Sequence, residues 1–377
     1  MKLVVCMDSW KGSLSAREAN AAVAAGLREG WPDAEILEIP LADGGEGTLD
    51  IVQSVRPGQV IRQAVCGPLA DLRVDAPVLL WPERNEALVE VAACAGLTLL
   101  ADAQRDPLRT TTRGAGELIA VALARGARKI LLAVGGTATV DAGAGLAMAL
   151  GWRFLDRGGQ AIPPGGGGLL RLDRILPPLH PGPAFDLEVL CDVDNPLLGP
   201  RGAAPVFGPQ KGAGPDGVAR LSEALARFAD VVERDLGVRV GEVPGTGAAG
   251  GIPACALACF GATLSPGIDR LLGLVGFDAA LAGADWVITG EGRVDAQSLS
   301  GKVLSGVLRA ARAKSVPVGV IAGGVELGDA EARQAGVHRA VAARPPGMPL
   351  ETALREAAPL ARQAGLAFAR RGKPRTA

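Results

Sequence analysis

The sequence has no tyrosine, and aromatic residues make up only 3% of it. That excludes the stacked aromatic platforms on which single-stranded nucleic acids are held. Histidine is almost as scarce. There are two, His180 and His338, and His180 lies in the loop-like stretch Pro177-Pro178-Leu179-His180-Pro181-Gly182. Histidine-based triads and histidine metal sites are therefore not expected. No two of the six cysteines form a Cys-x-x-Cys pair. Cys6, Cys66, Cys94, Cys191, Cys255 and Cys259 read as reduced, small core residues of a cytoplasmic protein. Net charge is also lacking: the formal value is −1, so no bulk field draws the chain to nucleic acid or to an anionic membrane. No stretch approaches a charge-free membrane span. The first apolar run, Leu3–Met7, ends at Asp8 and Lys11, too early for a signal peptide. The expectation is a cytoplasmic monomer or homodimer with small-molecule partners.

What the chain does have is an apolar half and much glycine. Hydrophobic residues are 48% of 377, enough for a sizeable core and, at ordinary size, two domains. The 53 glycines are clustered, which marks places where backbone turns sharply or approaches a ligand. Residues 2–7 read as a buried strand. Ser15 with Glu18 forms a capping box for a helix over roughly residues 16–29, and Glu35 to Pro40 reads as a second strand. This βαβ unit predicts a parallel sheet. After residue 60 the grammar changes. Val60 to Leu69, Arg73 to Trp81 and Glu86 to Val91 read as antiparallel hairpins. Thr110-Thr111-Thr112 offers a threonine cap for a helix running to about Arg125, and Lys129 to Val134 reads as a strand. Residues 156–184, with Gly165-Gly166-Gly167-Gly168 among them, read as a flexible surface loop. Helices are predicted over about Asp216 to Leu236 and over Ile252–Phe260. From residue 268, α and β alternate again. Helices are expected at Ile268 to Leu281, Val303 to Ala313, Ala330 to Gly336 and Leu350 to Ala369, with strands at Trp286 to Thr289, Val316 to Ala322 and Arg339 to Ala342.

The two strands at the N-terminus are too few for a stable sheet, and only the C-terminal part shares their grammar. The predicted architecture is therefore two α/β domains. One is a parallel, doubly wound, flavodoxin-like sheet built from both chain ends, residues 1–61 plus 267–377. The other is an inserted mixed-sheet α/β domain, residues 62–266. Ligands of open α/β folds bind outside the carboxyl ends of the strands, so the active site is expected in the cleft between the two.

Four loops carry chemistry. Asp43-Gly44-Gly45-Glu46-Gly47 holds two acids among three glycines, more than a helix cap needs. The stretch from Gly135 to Gly145 is a Gly/Thr loop between strand and helix, the general form of a phosphate cradle. It is not a Walker A sequence, because no Gly-Lys-Ser/Thr follows. Pro244 to Gly251 is a third glycine cluster, readable equally as ligand contact or as close helix packing. In Cys191-Asp192-Val193-Asp194-Asn195-Pro196 two carboxylates sit one residue apart after an apolar strand. On a strand such a pair shares a face and can hold a divalent cation or orient a hydroxyl. The cations Lys11, Arg201, Lys211, Arg293 and Lys302 complete a set that suits phosphoryl transfer, which needs positioning and charge neutralisation.

In these motifs the chain resembles the bacterial glycerate kinases of type 1. The resemblance spans nearly the whole length. It runs through Asp8-Ser9-Trp10-Lys11-Gly12-Ser13-Leu14-Ser15, Ala42-Asp43-Gly44-Gly45-Glu46-Gly47-Thr48, Thr110-Thr111-Thr112-Arg113 and Gly135-Gly136-Thr137-Ala138-Thr139. It continues through Cys191 to Pro196, Phe207-Gly208-Pro209-Gln210-Lys211-Gly212, Gly245 to Gly251 and Thr289-Gly290-Glu291-Gly292-Arg293. The chain departs from the family pattern at Trp10, where Phe is usual, at Val140 for Asn, at Ala142 for Gly and at Ala296 for Gly. The Trp10 and alanine changes read as tolerable, whereas Val140 removes a polar side chain beside Asp141.

The resemblance implies ATP-dependent phosphorylation of D-glycerate with Mg2+, commonly at the 2-hydroxyl to give 2-phosphoglycerate; transfer to the 3-hydroxyl is the alternative. The roles expected on that basis are these. Asp192 or Asp194 positions or deprotonates the hydroxyl, with Lys11 in the catalytic set. Asp8, Ser9, Arg113, Arg201 and Arg293 face the substrate, arginine matching a carboxylate's geometry. Gly135, Gly136, Thr137, Lys211, Gly245, Thr246, Gly247 and Gly250 hold the phosphates of the nucleotide. Asp43, Glu46, Glu291 and Asp295 are the candidate Mg2+ ligands. Two other readings are weaker. A haloacid-dehalogenase-like phosphatase would use the Asp192/Asp194 pair, but Pro196 stands where that motif carries Thr, and the pair lies far from the N-terminus. A two-domain periplasmic-type binding protein would need a signal peptide.

Overall fold

The computed structural model describes residues 1–42, 44–299 and 303–372, with only the backbone of Gln297. Asp43 and Lys302 therefore lie outside the described residues. The chain forms two compact units: residues 1–43, 50–56 and 268–377, and residues 44–49 and 57–267. Among the described residues no helix is long and apolar enough to cross a membrane.

The chain opens with β1 (Lys2–Met7). Alternate side chains serve opposite faces of the sheet: Leu3, Val5 and Met7 enter one apolar cluster, Val4 and Cys6 another. Helix α1 (Ala16–Gly30) begins with the capping box. The Ser15 backbone N–H donates to the Glu18 carboxylate at 2.9 Å, and the Glu18 N–H donates back to the Ser15 hydroxyl at 3.3 Å. Strand β2 (Glu35–Glu38) and helix α2 (Thr48–Val55) follow.

The second unit starts as a meander of β3 (Gln59–Cys66), β4 (Arg73–Trp81) and β5 (Glu86–Glu90), paired antiparallel. After α3 (Arg113–Ala124) comes β6 (Lys129–Ala133), parallel to β5. Helix α4 (Ala144–Ala149) leads to a small antiparallel pair, β7 (Arg153–Leu155) and β8 (Arg174–Leu176). Strand β9 (Asp186–Leu190) returns beside β6, and α5 (Pro215–Leu236), α6 (Ile252–Phe260) and β10 (Thr263–Ser265) complete the unit. Its main sheet runs β10-β9-β6-β5-β4-β3. Four neighbouring strands, β10 to β5, are parallel, which brings the loops after β5, β6 and β9 to one edge.

The first unit resumes with α7 (Gly267–Leu274), β11 (Trp286–Gly290), β12 (Arg293–Val294), α8 (Val303–Ala313), β13 (Val318–Ala322) and β14 (Gly324–Val325). It ends with α9 (Asp329–Ala335), β15 (Val337–Ala342), α10 (Leu350–Arg355) and α11 (Ala357–Arg370). Its five-stranded sheet, β15-β13-β11-β1-β2, is parallel throughout and drawn from both chain ends. Helices cover both faces. Ile268, Leu272, Val303 and Val307 pack on one; Val23, Leu27, Leu360 and Phe368 pack on the other.

Three sequence expectations are corrected. Residues 156–176 are not a loose surface loop, whereas 177–184 are mostly exposed and irregular as expected: Gly166–Arg171 form a 3₁₀ turn with Leu169 and Leu172 fully buried. The glycines there allow backbone to lie on backbone, Gly167 N–H donating to Leu108 O at 2.9 Å. The helix expected over 268–281 ends at Leu274, because Gly276 turns the chain at a φ of 67° before a single further helical turn, Phe277–Ala280. The last helix is interrupted at Glu356. Pro359 has no N–H to give to the Arg355 carbonyl four residues back.

Candidate active site

The parallel edge of the second unit begins at Glu90, the last residue of β5, which is 5% exposed. Its carboxylate accepts the Gly47 N–H at 3.1 Å and the Leu49 N–H at 2.9 Å. This fixes the glycine loop that precedes α2. The same loop packs against the turn after β6: Gly135 N–H donates to Gly44 O at 3.0 Å. A Cβ on Gly135 would stand 2.7 Å from Gly45 Cα. Close approach of two backbones thus accounts for Gly135, while Gly44 and Gly47 hold positive φ values of 79° and 85°. Glu46 is exposed and accepts the Thr98 hydroxyl at 3.3 Å.

Beyond Gly136 the loop turns inward. Thr137, Thr139, Val140 and Asp141 are all buried. The Asp141 carboxylate accepts four donors: Thr112 N–H and Thr112 Oγ1–H at 2.9 Å each, Gly143 N–H at 3.1 Å and Gly145 N–H at 3.3 Å. Burial still pushes its carboxyl up, against the pull of those donors. Thr112 does not cap α3 through its side chain, as the sequence predicts. Its hydroxyl is taken by Asp141 and by the Leu146 N–H, at 2.9 Å. Val140 points into an apolar cluster with Phe154 and Phe228.

Lys211 reaches this loop from the segment after the Asp192 stretch. It is 3% exposed. Its Nζ donates to Thr137 Oγ1 at 3.1 Å and to the Thr139 carbonyl at 2.7 Å. Burial pushes the ammonium down to about 7, the Asp141 charge pulling the other way. Beside it the Thr139 hydroxyl is buried with no partner among the described residues. The third glycine cluster closes over the same loop. A Cβ on Gly250 would collide with the Thr139 carbonyl, and one on Gly247 with the Pro196 carbonyl. Thr246 is fully buried, its hydroxyl donating to Val243 O at 2.6 Å and accepting Leu197 N–H at 3.1 Å. Gly245 and Gly247 are likewise buried. Ala142 and Ala249 both sit at positive φ, 55° and 50°, and the Ala142 N–H donates to Gly250 O at 3.0 Å. Left-handed alanines are strained and tend to collect at functional sites.

Strand β9 ends at Leu190, so Asp192 and Asp194 lie on a loop, and the strand geometry that would give them a common face does not apply. Asp194 is exposed and pairs with Arg201 at 2.8 Å. Asp192 is half-buried, its Oδ2 2.7 Å from where a Cβ on Gly267, the first residue of α7, would be. Arg113 is held by Glu117 one helical turn on, at 3.0 Å.

The first unit has its own cavity, about 480 Å³, at the carboxyl edge of its sheet. Ser9 and Lys11 come from the loop after β1, and Glu291, Arg293 and Asp295 from that after β11. Asp8 is buried next to them and accepts the Ser9 N–H at 2.6 Å. Arg293 pairs with Glu326 at 2.6 Å and Asp295 at 3.7 Å. Of the candidate metal ligands, Glu291 and Asp295 therefore share this cavity, while Glu46 belongs to the other unit. Among the described residues no three His, Cys, Asp or Glu side chains form a group able to hold a metal ion alone.

Two parallel-sheet edges lined with carboxylates, cations and glycine turns are the equipment of a phosphotransferase. The sequence profile described as "Glycerate kinase family" matches residues 3–372. The chain belongs to the glycerate kinase family. It is an enzyme of the phosphotransferase class. It is 43% identical over 360 residues to the glycerate kinase of Bacillus subtilis (strain 168), covering 95% of this chain and 94% of that one. It is 43% identical over 325 residues to the glycerate 2-kinase of Escherichia coli (strain K12), covering 86% and 85%. A crystal structure from Salmonella typhimurium LT2, assigned as glycerate kinase 2, superposes with a TM-score of 0.82 at 43% identity over 98% of each chain. Sequence reasoning did not single out Glu90 as the residue that ties these loops; the available signal was an acid closing the apolar run Ala87-Leu88-Val89.

Proposed function

We propose that this family member transfers the γ-phosphoryl group of ATP to the 2-hydroxyl of D-glycerate, giving 2-phosphoglycerate and ADP. The carrying observation is Lys211: a buried lysine that makes no ion pair among the described residues, its Nζ spread over one hydroxyl and one carbonyl. A buried cation with neutral acceptors is costly, and an anionic phosphate is the partner that makes the arrangement favourable. Transfer at the 2-hydroxyl is supported by the name of the Escherichia coli relative.

Asp192 is the base we assign. It is half-buried, whereas Asp194 is exposed. Asp192 takes the proton of the 2-hydroxyl, the freed oxygen bonds to the γ-phosphorus, and the bond to the β-phosphate oxygen breaks to release ADP. Lys211 and the Gly135-Gly136-Thr137 turn neutralise and orient phosphate oxygens. In the first unit, Lys11 stands beside Asp8 and Ser9 as a further cation suited to phosphate. The Arg113, Arg201 and Arg293 ion pairs are solvent-exposed. Such pairs contribute only about 0–1 kcal/mol, so a substrate carboxylate can displace any one of the partners. Glu291 and Asp295 offer an oxygen-only donor set, which suits Mg2+ held by one or two carboxylates with phosphate oxygens. Bound there, the ion would neutralise phosphate charge.

The test is ADP release by the purified full-length chain with Mg-ATP, with and without D-glycerate. Acceptor-dependent ADP formation supports the reading. Phosphate release from phosphomonoesters without ATP, and no acceptor dependence, would contradict it.

A further inference from the structure

The cavity of the first unit has two unlike walls. One is polar, with Ser9, Lys11 and Glu291 on the strand-end loops. The other is apolar, formed by Leu350, Ala353 and Leu354 of α10 and by Ala357 and Leu360 of α11. D-glycerate has a carboxylate and two hydroxyls on three carbons. It needs donors and cations and gains nothing from five alkyl side chains. A nucleoside has flat apolar faces, which an apolar wall removes from water, and ribose hydroxyls, which donate to carboxylates. The volume of about 480 Å³ lies within the roughly 300–1,000 Å³ of pockets for organic ligands.

One further observation agrees. Gly324 also lines the cavity, and a Cβ added there would meet nothing within 4 Å. The missing side chain leaves space that no protein atom uses.

We infer that this cavity is the nucleoside subsite of the phosphate donor. The base lies against the α10–α11 wall, the ribose hydroxyls face Glu291 and Glu326, and the phosphates leave toward Lys11. The assignment rests on the kinase reading above.

The experiment uses the full chain and two variants. Gly324→Leu fills the cavity from its polar side, where the backbone has room. Leu354→Asp puts a charge on the apolar wall at a position 37% exposed, so folding is spared. Thermal unfolding confirms that each variant is folded. Adenosine and ADP binding are measured by calorimetry without acceptor, and KM is measured for both substrates. The expected result is calorimetric binding of adenosine to the wild type, weakened in both variants. KM for ATP should rise roughly ten-fold or more, while KM for D-glycerate stays within about two-fold, the mark of lost donor binding. A rise in KM for D-glycerate with ATP unaffected would make this the acceptor's pocket and overturn the inference. So would folded variants with unchanged binding and kinetics. If the wild type binds ADP here but turns over no D-glycerate, the acceptor assignment fails while the nucleoside site stands.

Discussion

Lys211 sits in the second unit with two neutral acceptors and a native pKa pushed down to about 7 by burial. An unfolded lysine titrates near 10.4. Between those values only the unfolded chain holds the proton. Stability should therefore rise with pH across this window, by at most about 1.4 kcal/mol per unit, and be lost as pH falls through 7. Lys211→Met has no such group, so its unfolding free energy should rise less steeply than that of the wild type between pH 7 and 10. Denaturation of both proteins at several pH values checks this; parallel profiles would show that Lys211 is protonated throughout. The aspartate pair gives a second prediction. Asp192→Asn should lower kcat by about 10²–10⁴-fold. Asp194→Asn should instead act mainly on KM for D-glycerate, because it frees Arg201 from an exposed pair. Steady-state kinetics of the two variants separates these roles, and near-normal turnover in Asp192→Asn would remove the base assignment.

At the scale of elements, three glycines of these clusters are needed for loop packing. Gly247 sits on the Pro196 carbonyl, Gly250 on that of Thr139, and Gly135 on Gly45. Gly247→Ala should destabilise by about 1–3 kcal/mol or more, since the clash is with backbone that has no alternative rotamer. A fall in the thermal midpoint measures it; an unchanged midpoint would mean that the 195–197 and 245–251 loops give way. These contacts explain what the sequence hides. A run such as Gly245 to Gly251 is compatible with a ligand cradle or with close packing, and only the partner backbone decides. Local signals fared better. The capping box at Ser15 and Glu18, the helix ending at Leu236 and the β3–β4–β5 meander are all legible, because each depends on residues a few positions apart. The side-chain cap at Thr112 was misread because a distant carboxylate, Asp141, claims its hydroxyl. The D-x-D pair follows a strand that ends at Leu190, so the shared face of a strand is not available to it.

At the scale of the molecule, the parallel sheet drawn from both chain ends was legible because a two-stranded βαβ start cannot stand alone, and only the C-terminal part repeats its period. The order β15-β13-β11-β1-β2 brings the loops after β1 and β11 side by side, so Ser9, Lys11, Glu291, Arg293 and Asp295 share one cavity. No spacing in the sequence predicts the apolar wall opposite them, because it comes from helices near the C-terminus. The central claim is acceptor chemistry: an ATP-dependent transfer to the 2-hydroxyl of D-glycerate. Product identification by ³¹P and ¹³C NMR, after incubating the full-length chain with D-glycerate and Mg-ATP, tests it most directly. The account predicts 2-phosphoglycerate and ADP in equal amounts. Accumulation of 3-phosphoglycerate would contradict the position of transfer, and unchanged D-glycerate would contradict the acceptor itself.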